Sequence, residues 1–149
     1  MAKECGNPYK TARKAAGLTQ ERAAMLLNIS VDSLRDYEGN IRPVPNDVAA
    51  AMCDAYDAQY LAITHLRMTS IGRQAIPAFQ LRDLPEAVLN LLNAVQQFVD
   101  KNPTMICIAA DGVISPSEQR EWDNIILLAD NLQTALMSVK FAVEERNDG

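Results

Sequence analysis

GLTQERAAMLLNISVDSLRDYEG, residues Gly17 to Gly39, is the stretch that decides the fold of this chain. Thr19 offers a hydroxyl acceptor to the free amides of a following helix, and Gln20–Leu27 is rich in the strong helix formers Ala, Met and Leu. Asn28 tolerates the left-handed conformation that a tight turn demands. Ser30 then caps another short segment, which Gly39-Asn40 brings to a stop. The spacing predicts two helices, at about Thr19–Leu27 and Ser30–Tyr37, joined by a tight turn. Ala24 is small enough to let them approach closely. Leu27, Leu34 and Tyr37 fall at helical spacing on the inner face.

The neighbouring sequence extends this pattern. Asn7-Pro8 reads as a cap followed by proline at the first helical position, and Gly17 ends that helix. Ile41-Arg42-Pro43-Val44-Pro45 is a proline-stiffened loop. Asn46 is a natural cap for a fourth helix, Asp47–Tyr56, and a fifth is expected within Ala58–Thr69. Between Ser70 and Arg82 the periodicity fails, with Gly72 and Pro77 as interruptions, so residues 71–82 read as a linker. Asp83-Leu84-Pro85-Glu86 restarts the chain with a capping box and an early proline.

Leu84, Val88, Leu91, Val95 and Phe98 follow at intervals of three and four, before Asn102-Pro103 interrupts them. Met105–Ala110 resumes the apolar run, Asp111-Gly112 turns the chain, and Ser115-Pro116-Ser117-Glu118 opens another helix. Trp122, Ile125, Ala129, Leu132, Leu136, Val139 and Val143 then form one seam. Two amphipathic helices joined by a short turn should fold back as an antiparallel hairpin. Leu92, Leu127, Leu128 and Met137 widen the apolar stripe beyond a single seam, so the hairpin needs a further partner. A second copy of the chain is favoured, and the chain's own N-terminal domain is the alternative. The expected class is all-α: a five-helix domain over 1–70, a linker over 71–82 and a helical hairpin over 83–149 that serves oligomerisation.

Bulk properties narrow the function. The chain has 149 residues, 48% hydrophobic and 22% charged, and no window approaches a membrane span. The first twenty residues carry charges but no apolar core region, so a cytoplasmic protein is expected. Three scattered cysteines and a single histidine, His65, offer no zinc-ligand spacing. Asp111–Ser115 with Glu118 lacks the alternating oxygen ligands of a calcium loop. No phosphate-cradling glycine loop or nucleophile motif occurs, so no catalytic residue, metal or cofactor is expected. The net charge of −5 is uneven. Nine Lys/Arg face eight Asp/Glu through residue 75, and five face eleven beyond it. Any nucleic acid must therefore meet the first half.

Arg13, Gly17-Leu18-Thr19-Gln20, Ala24, Ile29-Ser30, Leu34, Tyr37-Glu38-Gly39 and Pro43 together resemble the lambda-repressor-like (XRE) family of helix-turn-helix transcriptional regulators. The whole chain is also similar to prophage-associated and Gram-positive regulators of this type. These continue through an irregular Gly/Pro stretch (here Gly72 to Pro77) to a hairpin with an Ala-Asp-Gly-x-Ile turn (Ala110–Ile114). The resemblance implies an inward ion pair between Arg13 and Glu38, and a phosphate contact from Gln20 at the start of the second helix. Lys10, Lys14 and Arg42 are further candidates for phosphate contacts.

The third helix would enter the major groove, with Ser30, Val31, Asp32, Ser33, Arg35 and Asp36 as its reading surface. Val31 suits a thymine methyl and aspartate can accept from cytosine N4, but Asp32 and Asp36 lower affinity for a polyanion. One motif covers one half-site, so a homodimer held by the C-terminal helices would span an operator in double-stranded DNA. The expected function is a dimeric transcriptional regulator, a repressor. The alternative is a protein-interaction module on the same scaffold with weak or no DNA binding.

Overall fold

The computed structural model describes residues 6–142, in which all regular structure is helical. The chain divides into two compact units, Met1–Ile76 and Pro77–Gly149. The first holds α1 (Pro8–Ala15), α2 (Gln20–Leu26), α3 (Val31–Glu38), α4 (Asn46–Ala55), α5 (Tyr60–Arg67) and α6 (Ser70–Ala75). The second holds α7 (Leu84–Val99), α8 (Asn102–Ala109) and α9 (Gln119–Lys140).

Local chemistry sets most helix starts. The Asn7, Thr19 and Ser30 side chains accept from the amides of Lys10, Arg22 and Ser33, at 3.1, 3.2 and 3.1 Å. Each satisfies one of the amides left free in a first helical turn. Gly17 and Asn28 adopt φ of 69° and 53° at the ends of α1 and α2, as the turns there require. One cap is placed differently from the sequence reading. Asn46 is the first residue of α4 rather than its cap, and Pro45 precedes it without a side-chain bond. The Asn46 Oδ1 atom instead lies 2.8 Å from His65 Nε2 on α5.

Burial of one face from each of α1 to α5 builds the first core. Tyr9, Leu34, Met52 and Leu61 are fully buried at its centre, joined by Ala23, Ala24, Leu27, Tyr37, Ala49 and Cys53. Small residues on α2 let α3 pack against it closely, as anticipated from Ala24. The Tyr9 hydroxyl lies 2.6 Å from His65 Nδ1, and burial pushes its pKa up to about 12.

The stretch read as a linker is structured. Its first half is α6, capped by Thr69 through the Gly72 amide at 2.9 Å. Six residues are too few for a periodic pattern to register. Its second half lies along the end of α9, where Thr134 Oγ1 donates to the Ala78 carbonyl at 3.3 Å and Ser138 Oγ to Gln80 at 3.0 Å. The Phe79 and Phe141 rings sit 5.6 Å apart beside them. These contacts join residues far apart in sequence, which no local pattern announces.

In the second unit α7 packs along α9. Lys101, just past the end of α7, reaches Glu121 near the start of α9 at 2.6 Å. Gln80, just before α7, meets Ser138 near the end of α9. The two helices are therefore antiparallel. The arm between them is not a bare turn, because Asn102-Pro103 opens the separate helix α8 and a turn over 110–118 follows. The expected capping box at Ser115 is half formed. Glu118 accepts from the Ser115 amide at 2.9 Å, while α9 itself begins only at Gln119.

The seam is rotated from the sequence reading on α7, while on α9 all its described members but Leu136 are at least half-buried. On α7 the buried positions are Ala87 and Ala94, flanked by half-buried Leu91 and Phe98. On α9 they are Ile125, Ala135 and Ser138, while Leu136 is 51% exposed. Alanines at the contact bring the helix axes close, so the larger Leu84, Val88 and Val95 stand to the side. The last expected seam residue, Val143, lies outside the described residues, as does Cys5.

Candidate nucleic-acid interface

Helix α3 turns Leu34, Tyr37 and Glu38 into the core and leaves Asp32 and Arg35 outside. Val31, Ser33 and Asp36 are half-buried between these faces. Val31 packs its side chain against the core, leaving only part of it free to meet a base. Ser30 and Ser33 hydroxyls bond to one another at 2.9 Å beside the cap. Asp32, Arg35 and the cap Ser30 are therefore the exposed residues of the expected reading surface.

Arg13 on α1 and Glu38 at the end of α3 form a buried, two-pronged ion pair. Arg13 Nε lies 2.5 Å from Glu38 Oε1, and Nη2 lies 3.0 Å from Oε2. The guanidinium also donates to the Leu18 carbonyl at 2.6 Å. Burial alone would raise the Glu38 pKa, but hydrogen bonds from Arg13 and Gln20 reverse it and hold the carboxyl below its ordinary range. The hydrogen bond to Glu38 raises the Arg13 pKa in turn. The ionised pair fixes α3 to α1 and leaves both groups charged at neutral pH.

Gln20 takes part in this cluster. Its Nε2 donates to Glu38 Oε2 at 2.9 Å from the first position of α2. A side-chain amide carries two donors, so one hydrogen holds Glu38 and the other has no partner among the described residues. The sequence offered Gln20 a phosphate contact or helix-capping support; its tie to Glu38 joins residues eighteen apart and needed the folded chain.

The acids on α3 are not bare. Arg35 reaches Asp32 at 3.1 Å, one helical turn away, and Arg42 reaches Asp36 at 3.5 Å from the following loop. The Arg42 guanidinium also lies over the Tyr37 ring, 4.8 Å from its centroid. Exposed pairs of this kind contribute about 0–1 kcal/mol each, yet they cancel charge where a polyanion would approach. The spacing of Asp32 and Arg35 makes the first pair legible on a helix. The second crosses a loop and carries no sequence signal.

Lys10 and Lys14 stand one turn apart on the exposed face of α1, with no ion pair among the described residues. They line an open cleft of about 590 Å³ with Gly6, Asn7, Thr11, Glu38 and Asn40. Asn7 spans its floor, its amide donating to the Tyr37 carbonyl and to Asn40 Oδ1, each at 2.8 Å. From local pattern alone Asn7 has only a capping role. Its second role ties the start of α1, which bears the lysines, to the end of α3.

Apart from Ser30, Val31 and Ser33 at the start of α3, the expected site residues fall into three groups within the first unit. Buried Arg13 and Glu38 form a cluster with part-buried Gln20. Asp32, Arg35, Asp36 and Arg42 form a charge-balanced face on and after α3. Lys10 and Lys14 supply unpaired positive charge on α1. Among the described residues no three ligating side chains gather to hold a metal, and no helix is long and apolar enough to cross a membrane.

The family model described as "Helix-turn-helix domain" matches residues 10–63, from within α1 to within α5. No curated protein and no solved structure matches the chain. The first unit therefore contains a helix-turn-helix domain, with α2 and α3 as its motif helices.

Proposed function

We propose that the chain is a sequence-specific DNA-binding transcriptional regulator of the lambda-repressor-like kind, a repressor that acts as a homodimer on a two-fold operator. The observation that carries this reading is the anchoring of α3. The Arg13–Glu38–Gln20 cluster and the Asn7 amide hold its C-terminal end, while Asp32 and Arg35 project outward. A rigidly held helix with a polar outer face is what major-groove reading requires.

In this reading Lys10, Lys14, Arg42 and the free hydrogen of the Gln20 amide meet phosphates. Arg35 donates to guanine, Asp32 accepts from cytosine N4, and the exposed part of Val31 packs on thymine. Ser30, Ser33 and Asp36 flank these contacts. The pairing of Asp32 and Asp36 with arginines reduces the repulsion their charges would otherwise bring. Binding weak enough to depend on base contacts favours selectivity over affinity. A dimer through the second unit sets the two α3 helices over half-sites about one helical turn apart.

The test is salt-dependent binding to DNA from around the encoding gene. Three cationic phosphate contacts per protomer, Lys10, Lys14 and Arg42, predict a slope of about −5 in log K against log salt for the dimer, the neutral Gln20 amide releasing no counterion. Lys14→Ala should weaken binding to all sequences alike and flatten the slope by roughly two, one contact in each protomer. Asp32, whose side chain is 88% exposed, favours one other reading, an interaction surface for a basic protein. Absence of salt-sensitive binding to any neighbouring fragment would overturn the regulator in favour of that module.

A further inference from the structure

Helix α7 is apolar over about half its circumference, and α9 covers only part of that arc. Ala87, Leu91, Ala94 and Phe98 face α9. Beside them Leu84, Val88, Leu92, Val95 and Val99 form a second row, each between 38% and 61% exposed. Its intervals of four, four, three and four residues keep it on one face. Leu89 widens its outer margin.

We infer that this row is where a second copy of the chain packs, with the two α7 helices antiparallel about a two-fold axis near Leu92. The inference rests on the dimeric reading above and assigns it a face. The first argument is order. Read backwards, the row nearly repeats itself: Leu84 pairs with Val99, Val88 with Val95, and Leu92 falls against its own copy. An isologous interface requires such self-complementarity, because each residue must meet its counterpart across the axis. A foreign partner imposes no such symmetry.

The second argument is charge. Beyond Pro77 the chain carries eleven acidic residues against five basic ones, so two copies repel over most of this unit. Helix α7 holds a single charged residue, Glu86, which Arg82 pairs and which lies on the far side from the row. The row itself carries no carboxylate, with Asp83 and Asp100 only at its two ends, and charge depletion is the mark of an interface centre. A basic partner would choose the acidic surface instead.

The third argument is size. Five aliphatic side chains at about half exposure leave on the order of 400 Å² of apolar surface per copy. With Pro85, Leu89 and Gln96 at the margin, two copies bury roughly the 1,000 Å² that a specific interface needs. The sixteen residues of α7 give a contact about 24 Å long.

Sedimentation of the full chain tests the assignment. The wild type should be a dimer. Leu92→Glu places two carboxylates against each other at the axis and should weaken association at least 100-fold, with the helical circular dichroism and Trp122 emission unchanged. A second measurement does not depend on that variant folding. In a chain with Cys5 and Cys107 changed to serine, Leu92→Cys should oxidise to a covalent dimer, whereas Leu127→Cys on the exposed face of α9 should not. A dimer that Leu92→Glu leaves intact, or that Leu127→Cys cross-links and Leu92→Cys does not, overturns this face and leaves the regulator standing. A wild type monomeric at all concentrations overturns the inference and the dimeric reading together. Loss of DNA binding in a chain that still dimerises through Leu92 overturns only the proposed function.

Discussion

Replacing Arg13 by methionine isolates the strongest electrostatic commitment in the first unit. The substitution keeps an unbranched apolar stem but removes both bonds to Glu38 and the bond to the Leu18 carbonyl. Glu38 is then a carboxylate in a side-chain environment only 2% exposed, held by Gln20 alone. Removing one partner of a buried pair costs about 3–5 kcal/mol, against about 5–15 kcal/mol for the whole stability of a domain. For a unit of this size the melting temperature should fall by on the order of 12–40 °C. The double variant Arg13→Met, Glu38→Leu removes both charges and should recover most of the loss, because the cost lies in the stranded carboxylate.

The pH dependence gives an internal check. In the wild type the Glu38 pKa is lowered in the folded state, so its stabilisation is present above the unfolded value, about 4.3, and is lost as pH falls through the folded one. In Arg13→Met the same carboxyl has lost its main charge partner, so burial raises its pKa and protonation relieves the strain. The deficit of the single variant should therefore shrink on acidification. Thermal and urea unfolding followed by far-ultraviolet circular dichroism measure the effect. Trp122 is the only tryptophan and lies in α9, so its fluorescence follows the second unit separately. A loss below about 1 kcal/mol, or a double variant as unstable as the single, would refute the account of the pair.

Two other positions make sharp tests. The Tyr56 hydroxyl is buried with no partner among the described residues, and burial, with the Glu38 charge, lifts its pKa to about 12. Tyr56→Phe should be neutral or stabilising in urea titration, since it removes a polar atom that gains no bond on folding; a loss above about 1 kcal/mol would mean the hydroxyl is satisfied. Both Tyr9 and Tyr56 are raised in the folded state, so stability should hold below pH 10 and fall between about 10 and 12 as the unfolded chain ionises first. A stability flat across that window in spectrophotometric titration would contradict the burial of both hydroxyls. At Gly72 an added Cβ would meet the Leu66 carbonyl oxygen at 1.8 Å. Gly72→Ala should force α6 away from the end of α5 and cost about 1–3 kcal/mol in the same unfolding assay. An unchanged midpoint would show that α6 can shift freely.

How much was legible follows from the range of each interaction. The caps at Asn7, Thr19, Ser30 and Asp83, and the left-handed turns at Gly17 and Asn28, act within four residues of themselves. They stand in the sequence because the groups they satisfy are local. The inward set of Ala24, Leu27, Leu34 and Tyr37 is equally plain, since a helical face is a matter of spacing. Asn46 shows the limit. Its local chemistry said cap, and a partner on α5 nineteen residues away drew the side chain elsewhere. The reading surface behaves likewise: its residues could be named in order, but not the Arg42–Asp36 pair that offsets one of its acids across a loop.

The opening stretch, Gly17 to Gly39, determined two short helices, the turn between them and their buried faces by itself. Capping, turn conformation and apolar spacing are all settled within a few residues. Only the tertiary structure decided what those helices are held by and what they leave free. Gln20 is tied to Glu38, the linker became α6 and a strap on α9, and alanines rather than leucines took the α7–α9 contact. Each of these outcomes depends on which distant group arrives at hydrogen-bonding or packing distance. A one-dimensional pattern fixes the face a helix offers, and the three-dimensional packing chooses which part of that face is used.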